Sequence, residues 1–351
     1  EINTCIACNQ ACLDHTFKGQ LASCLVNPRA GQETTLLIRA ATAKKRFAVV
    51  GAGPAGLAAA TTLAERGHEV DLYDSADEIG GQFNLARRIP GKEEFSETLR
   101  YFGKRIERTG VRLHLRQRVS VPSLLAARHD AVLLATGVTP RDPKIPGQEL
   151  PGVISYIDAI LGRQPVGRRV ALIGAGGIGF DVAELLVHDA AHPAPSLDLA
   201  ACQREWGVTD PTAVRGGVTR AEPAAPARQV TLLQRKAGKL GAGLGKTTGW
   251  IHRAALKMKN VQMVSGVHYE RIGAHEGALG LFVTHGEKRS DGEVIACDTI
   301  VLCAGQEPLR ELQAPLEAAG VKVHLIGGAH EAGELDANRA VDRGTRLAAS
   351  V

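Results

Sequence analysis

FAVVGAGPAGLAAATTL, residues 47–63, decides the fold. An apolar run ends in Gly51-Ala-Gly53-Pro-Ala-Gly56 and passes at once into a stretch rich in alanine and leucine. A strand that runs through a glycine turn into a helix opens a βαβ unit. Gly51 permits the tight turn, Gly53 lets backbone approach a pyrophosphate, and Gly56 lets helix and strand pack closely, with Ala55 a further cofactor-binding candidate in the same loop. The free N–H groups at the helix start favour phosphate. The next strand, EVDLYD (69–74), ends in Asp74, whose carboxylate can accept hydrogen bonds from both hydroxyls of a ribose.

The pattern recurs. RVALIGAGGIGFDVAELL, residues 169–186, repeats strand, glycine loop and helix, with Gly174, Gly176 and Gly179 as its glycines. DAVLLATGVTP (130–140) also aligns with DTIVLCAGQEP (298–308), pairing Asp130 with Asp298, Gly137 with Gly305 and Pro140 with Pro308. The fold class expected is α/β, with two nested Rossmann-like dinucleotide-binding domains in a glutathione-reductase-like arrangement. Residues 1–40 form a cysteine-rich segment and linker, 41–152 with 301–351 the first domain, and 153–300 the second, inserted domain. Residues 93–110 read as an amphipathic helix ended by Gly110. Residues 189–228, rich in Ala, Pro and Gly, read as an insertion loop between a helix at 178–188 and the strand QVTLLQ (229–234).

The two glycine loops lead to second strands with different ends. Aligning VDLYD with VTLLQ puts Gln234 where Asp74 stands, and Arg235 and Lys236 come next. A carboxylate there repels a 2′-phosphate, whereas a neutral residue beside two cations attracts it. The second fold is therefore expected to take NADPH and the first a flavin. Gly80-Gly81 gives backbone room near a flat ring, and Gln82 and Lys92 offer hydrogen bonds to the flavin or its phosphates.

Cys5, Cys8, Cys12 and Cys24 crowd the N-terminal region. Four thiolates suit zinc or an iron–sulfur cluster. Three close ligands and one remote ligand favour one face of a 4Fe–4S cubane and a closing corner over the matched pairs of structural zinc. Ile6, Leu13, Phe17, Leu25 and Val26 would exclude water from it. Cys202, Cys297 and Cys303 lack partners at ligand spacing, and core packing is the reading for the last two. A net charge of +5 over 351 residues argues against a nucleic-acid binder. No apolar run reaches the roughly 18 residues of a membrane span. With no secretory signal in the sequence, a reducing cytoplasm is expected. The chain begins at Glu1, directly before a cysteine motif, which suggests a fragment.

Together these stretches resemble the bacterial NADPH-dependent 2,4-dienoyl-CoA reductase family. The resemblance rests on CIACNQACLDHTFKGQLASCLVNPRA (5–30), EIGGQFNLARRIPGKEEF (78–95), LQRKAGKLGAGLGKTTGWIHR (233–253) and HLIGGAHEAGELDANRA (324–340). It implies a 4Fe–4S cluster on Cys5, Cys8, Cys12 and Cys24. It implies FAD at the first glycine loop, Asp74, Gly81, Gln82, Lys92, Val119, Gly137, Gly328 and Asp336. It implies NADPH at the second loop, Arg235 and Lys236, with Trp250 near a cofactor. In that family an N-terminal (β/α)8 barrel carries FMN and reduces the dienoyl-CoA in the β-oxidation of unsaturated acyl chains. That barrel is absent from this chain, so the chain is expected to be the electron-input half. Hydride would pass from NADPH to FAD, and single electrons onward to the cluster. Amine and enoate oxidoreductases of similar architecture, and a nucleotide-binding module without catalysis, are the alternatives. His15 and His252 are read as packing or solvent residues.

Overall fold

The computed structural model describes residues 2–333 and 336–351. Strand Arg46–Val50 shows how the first unit is built. Phe47 and Val49 face one apolar cluster with Leu57, Leu72, Phe102 and Leu133, while Ala48 and Val50 face another with Leu124, Val132 and Leu316. A strand covered on both faces needs apolar residues at every position, which is why parallel strands read as unbroken apolar runs. Five strands lie in spatial order Val323–Leu325, Ala131–Leu134, Arg46–Val50, Glu69–Tyr73 and Arg112–His114, all parallel. Helix Pro54–Glu65 packs against the C-terminal helix Ala337–Ser350, where Gly344 meets the Ala55 carbonyl so closely that no side chain would fit. The amphipathic helix Phe95–Thr109 buries Leu99, Phe102 and Ile106 and stops at Gly110, whose φ of 74° ends it.

A second parallel sheet runs Val153–Ser155, Thr299–Leu302, Arg169–Ile173, Gln229–Gln234 and Gln262–Ser265. An antiparallel meander, Val267–His275, Ala278–His285 and Ser290–Cys297, buries Val267, Ile272, Leu281 and Val283 in one cluster with Ala171, Ile173, Leu233 and Ile300. The chain divides into two units, residues 2–87 with 94–139 and 306–351, and residues 88–93 with 140–305.

Residues 189–228 differ from the loop expected of them. They hold a helix, Leu199–Trp206, capped by Asp198, whose carboxylate accepts from the Ala201 N–H at 3.1 Å. Gly207 closes it in the left-handed conformation. The helix is fastened to its own unit by a buried pair, Glu205 with Lys259 at 2.7 Å. Among the described residues no helix is long and apolar enough to cross a membrane.

Candidate functional site

Both glycine loops are made by the same physical device. Gly51 and Gly174 sit at φ 110° and 112°, where a side chain would strike the carbonyl of Ala135 or Cys303. The helices then start at Pro54 and Gly177, each opened by a glycine in extended backbone, with N–H groups left free for a ligand.

In the first unit the Asp74 carboxylate ties two backbone segments together. One oxygen accepts from the Ala52 N–H of the loop at 2.6 Å, and the other from the Ala76 N–H at 2.8 Å. The Gly80 N–H donates to the Ala52 carbonyl at 2.8 Å, which brings Gly81 onto Gly53. Gly328 lies against Gly137, and Gly327 against Ala55. Gly51, Asp74 and Val119 line one groove together with Tyr73, Thr136 and Leu309. Thr136 donates to the Leu309 carbonyl at 2.6 Å, and Arg118 pairs with Glu311 at 3.2 Å on the rim. A flat, phosphate-bearing dinucleotide fits such a cradle, because side chains are missing where backbone must approach it.

The other expected residues have these places. Lys92 falls in the second unit and pairs with Asp181 of helix Gly177–Val187 at 2.6 Å. Gln82 opens the short helical turn Phe83–Ala86. Asp336 caps the C-terminal helix, accepting from the Asn338 N–H at 2.8 Å. Trp250 is exposed on helix Gly249–Met258.

In the second unit the strand that ends in Gln234 leads into an exposed basic loop, where Arg235, Lys236 and Lys239 have no acidic partner among the described residues. The Gln234 amide is engaged by its own backbone. It donates to the Lys236 carbonyl at 2.9 Å and to that of Gly238 at 3.3 Å. The Tyr269 hydroxyl is buried without a hydrogen-bond partner among the described residues. Burial pushes its pKa up, and the charge of nearby Arg235 opposes that. The exposed side chains of Arg235, Lys236 and Lys239, without acidic partners among the described residues, fit an anionic nucleotide.

Two charged clusters have no motif that marks them in the sequence. Asp71, buried in the first sheet, accepts from Arg112 at 2.8 Å and contacts His114 at 3.0 Å and His129 at 2.9 Å. Arg112 above all holds its carboxyl well below the ordinary carboxylate range, with the two histidines adding to this and burial opposing it. In the second unit His252 lies 2.7 Å from Glu184, whose hydrogen bond raises the imidazole pKa against the effect of burial. His252 is thus held by a polar contact to Glu184. Cys303 and Cys297 are buried thiols, and burial pushes the latter up to about 11. Such thiols are unreactive.

Cys5, Cys8, Cys12 and Cys24 are free thiols. Among the described residues no three His, Cys, Asp or Glu side chains are gathered closely enough to hold a metal ion. Burial raises the Cys8 thiol above its ordinary value, and Cys24, Cys12 and Cys5 push the same way, so all three lie within electrostatic reach of Cys8. Cys8 and Cys24 pack on Ile6, Leu25 and Val26, and the Ala7 N–H donates to the Cys5 sulfur at 3.4 Å. The donor chemistry, four soft thiols of which Cys8 and Cys24 lie against an apolar wall while Cys5 and Cys12 are exposed, fits iron–sulfur or zinc.

The sequence is similar to a metal reductase of Desulforamulus reducens, 29% identical over 94% of this chain and 48% of that protein. It is also similar to an NADH oxidase of Thermoanaerobacter brockii, 30% identical over 95% of this chain and 46% of that one. The chain thus spans about half the length of these curated relatives. Among solved structures, a 2-naphthoyl-CoA reductase superposes with a TM-score of 0.80 at 25% identity, covering 99% of this chain and 46% of that one. The profile of the pyridine nucleotide-disulphide oxidoreductases matches residues 45–330. That match takes in both glycine loops and both second-strand ends, and the chain belongs to the pyridine nucleotide-disulphide oxidoreductase family.

Proposed function

We propose that this chain is the electron-input half of a longer flavoenzyme, taking hydride from NADPH onto FAD and handing electrons on singly. The observation that carries the reading is the contrast between two glycine loops in one chain. One leads to a carboxylate tied to the loop itself, the other to a carboxylate-free basic turn. FAD, when bound, takes electrons in pairs and gives them up one at a time. Gly51, Gly53 and Gly56 would admit its pyrophosphate, Asp74 its ribose, and Tyr73, Val119 and Thr136 would wall its adenine end. Gly174, Gly176 and Gly179 would admit the pyrophosphate of the nicotinamide coenzyme, and Arg235 with Lys236 its 2′-phosphate. Cys5, Cys8, Cys12 and Cys24 would hold a 4Fe–4S cluster, a one-electron carrier.

The likeness to a CoA-ester reductase supports a conjugated acyl-CoA as the final acceptor. The 2,4-dienoyl-CoA of the resemblance is the specific proposal, reduced on an FMN-bearing barrel of the same polypeptide in a cytoplasmic enzyme. The test is an anaerobic NADPH titration of the reconstituted chain. Flavin absorbance should bleach first and a paramagnetic cluster signal come after it, while dienoyl-CoA stays unreduced without the barrel. Arg235→Ala should raise the KM for NADPH about tenfold, the size of a lost charged hydrogen bond, and leave NADH nearly unchanged. Equal effects on both coenzymes would remove the NADPH assignment.

A further inference from the structure

Gln234 stands where Asp74 stands in the first fold, and its side chain is bound onto its own chain. Its amide nitrogen donates to the Lys236 carbonyl at 2.9 Å and the Gly238 carbonyl at 3.3 Å. The Lys236 carbonyl also accepts from the Gly266 N–H at 3.2 Å, so this one oxygen is gripped from two sides. Gly266 belongs to the turn between strands Gln262–Ser265 and Val267–His275 of the same unit. The turn that bears Arg235, Lys236 and Lys239 is therefore fixed through its carbonyls, while its three cationic side chains stay exposed and without acidic partners among the described residues.

A basic loop that is free to move must be ordered when an anion binds, and that ordering opposes binding. A loop held in place beforehand avoids this. A carboxylate at the same position has no hydrogen to donate, so it could not grip these carbonyls, and its charge would also repel a phosphate. We infer that Gln234 is a positioning residue for coenzyme choice: it clamps the 235–239 turn so that the basic side chains meet a 2′-phosphate ready-placed. The inference rests on the reading that the second site takes NADPH.

The experiment uses the purified chain, the variant Gln234→Met and titration calorimetry with four probes: NADPH, NADH, 2′,5′-ADP and ADP. Methionine keeps the length and apolar stem and loses the donor. NADPH and 2′,5′-ADP should bind about three- to tenfold more weakly, as expected for lost hydrogen bonds, and NADH and ADP should change less than about twofold. Amide exchange at residues 236–239 should quicken in the variant. If wild-type protein bound NADH as tightly as NADPH, the coenzyme reading itself would fall. If wild-type protein preferred NADPH but Gln234→Met left that preference unchanged, only the clamp would be lost. The clamp would also be lost if all four probes weakened equally, because the residue would then be supporting the fold.

Discussion

Gly51 and Gly174 turn the chain through nearly the same angle, and both lie against a carbonyl at the end of a neighbouring strand. One strand later the two halves part. Asp74 accepts hydrogen bonds from backbone N–H groups, including that of Ala52 in its own glycine loop. Gln234 donates to backbone carbonyls in the loop just beyond it. A carboxylate can only accept and an amide nitrogen only donates, so exchanging one for the other reverses which backbone groups are bound. On the proposed reading, the scaffold that would admit a dinucleotide is separable from the residue that would decide which dinucleotide is welcome.

That separation can be broken most forcefully at Gly179. A side chain there would run into the Gly174 carbonyl, so Gly179→Val should destabilise the second half by about 3 kcal/mol. Coenzyme binding should vanish while the flavin-to-protein absorbance ratio survives. Loss of flavin as well would mean the halves do not act separately. Asp71→Asn probes the first half alone. It leaves Arg112 and two histidines facing a neutral amide, and should lose about 2 kcal/mol of stability at neutral pH in urea unfolding. Because the folded Asp71 pKa is depressed, its contribution is present above the unfolded value and disappears as pH falls through the folded one. The gap between wild type and variant should therefore close in strong acid.

Gln234→Asp makes the second half imitate the first. Preference in kcat/KM with an artificial acceptor should move toward NADH by about tenfold. No movement would show that the strand-end residue does not discriminate. The smallest effect belongs to His252→Gln, which loses the bond to Glu184. The His252 pKa is raised on folding, so its contribution is present below the unfolded value and lost as pH rises through the folded one. The variant should be less stable by about 1 kcal/mol near pH 5.5 and equal to wild type near pH 9.

The parallel sheets are legible in the sequence because burial on both faces leaves runs such as FAVV and VALI with no polar interruption. The meander of residues 267–297 is not, since VHYERIGAH mixes apolar and charged residues in short strands whose alternation a bulge after Tyr269 interrupts. The helix within the insertion does carry a signal, Asp198 before an apolar start and Gly207 after its end. Of the candidate site residues, the glycines and Asp74 announce themselves because turn geometry demands them locally. The sequence offers Lys92 as a flavin contact but hides its pairing with Asp181, which lies 89 residues away and meets it only in the folded chain. The identity of Gln234 is visible in the sequence. The direction its amide takes is not, since that depends on where the carbonyls of Lys236 and Gly238 come to rest.

The bridge between Glu205 and Lys259 has a bearing on how this chain would survive damage. The stretch carrying Arg215 and Arg220 is open to a trypsin-like protease, while the helix on one side of it is bolted to the body and Gln229–Gln234 on the other is woven into a sheet. A cut between them would leave two fragments by mass that still travel and unfold as a single particle.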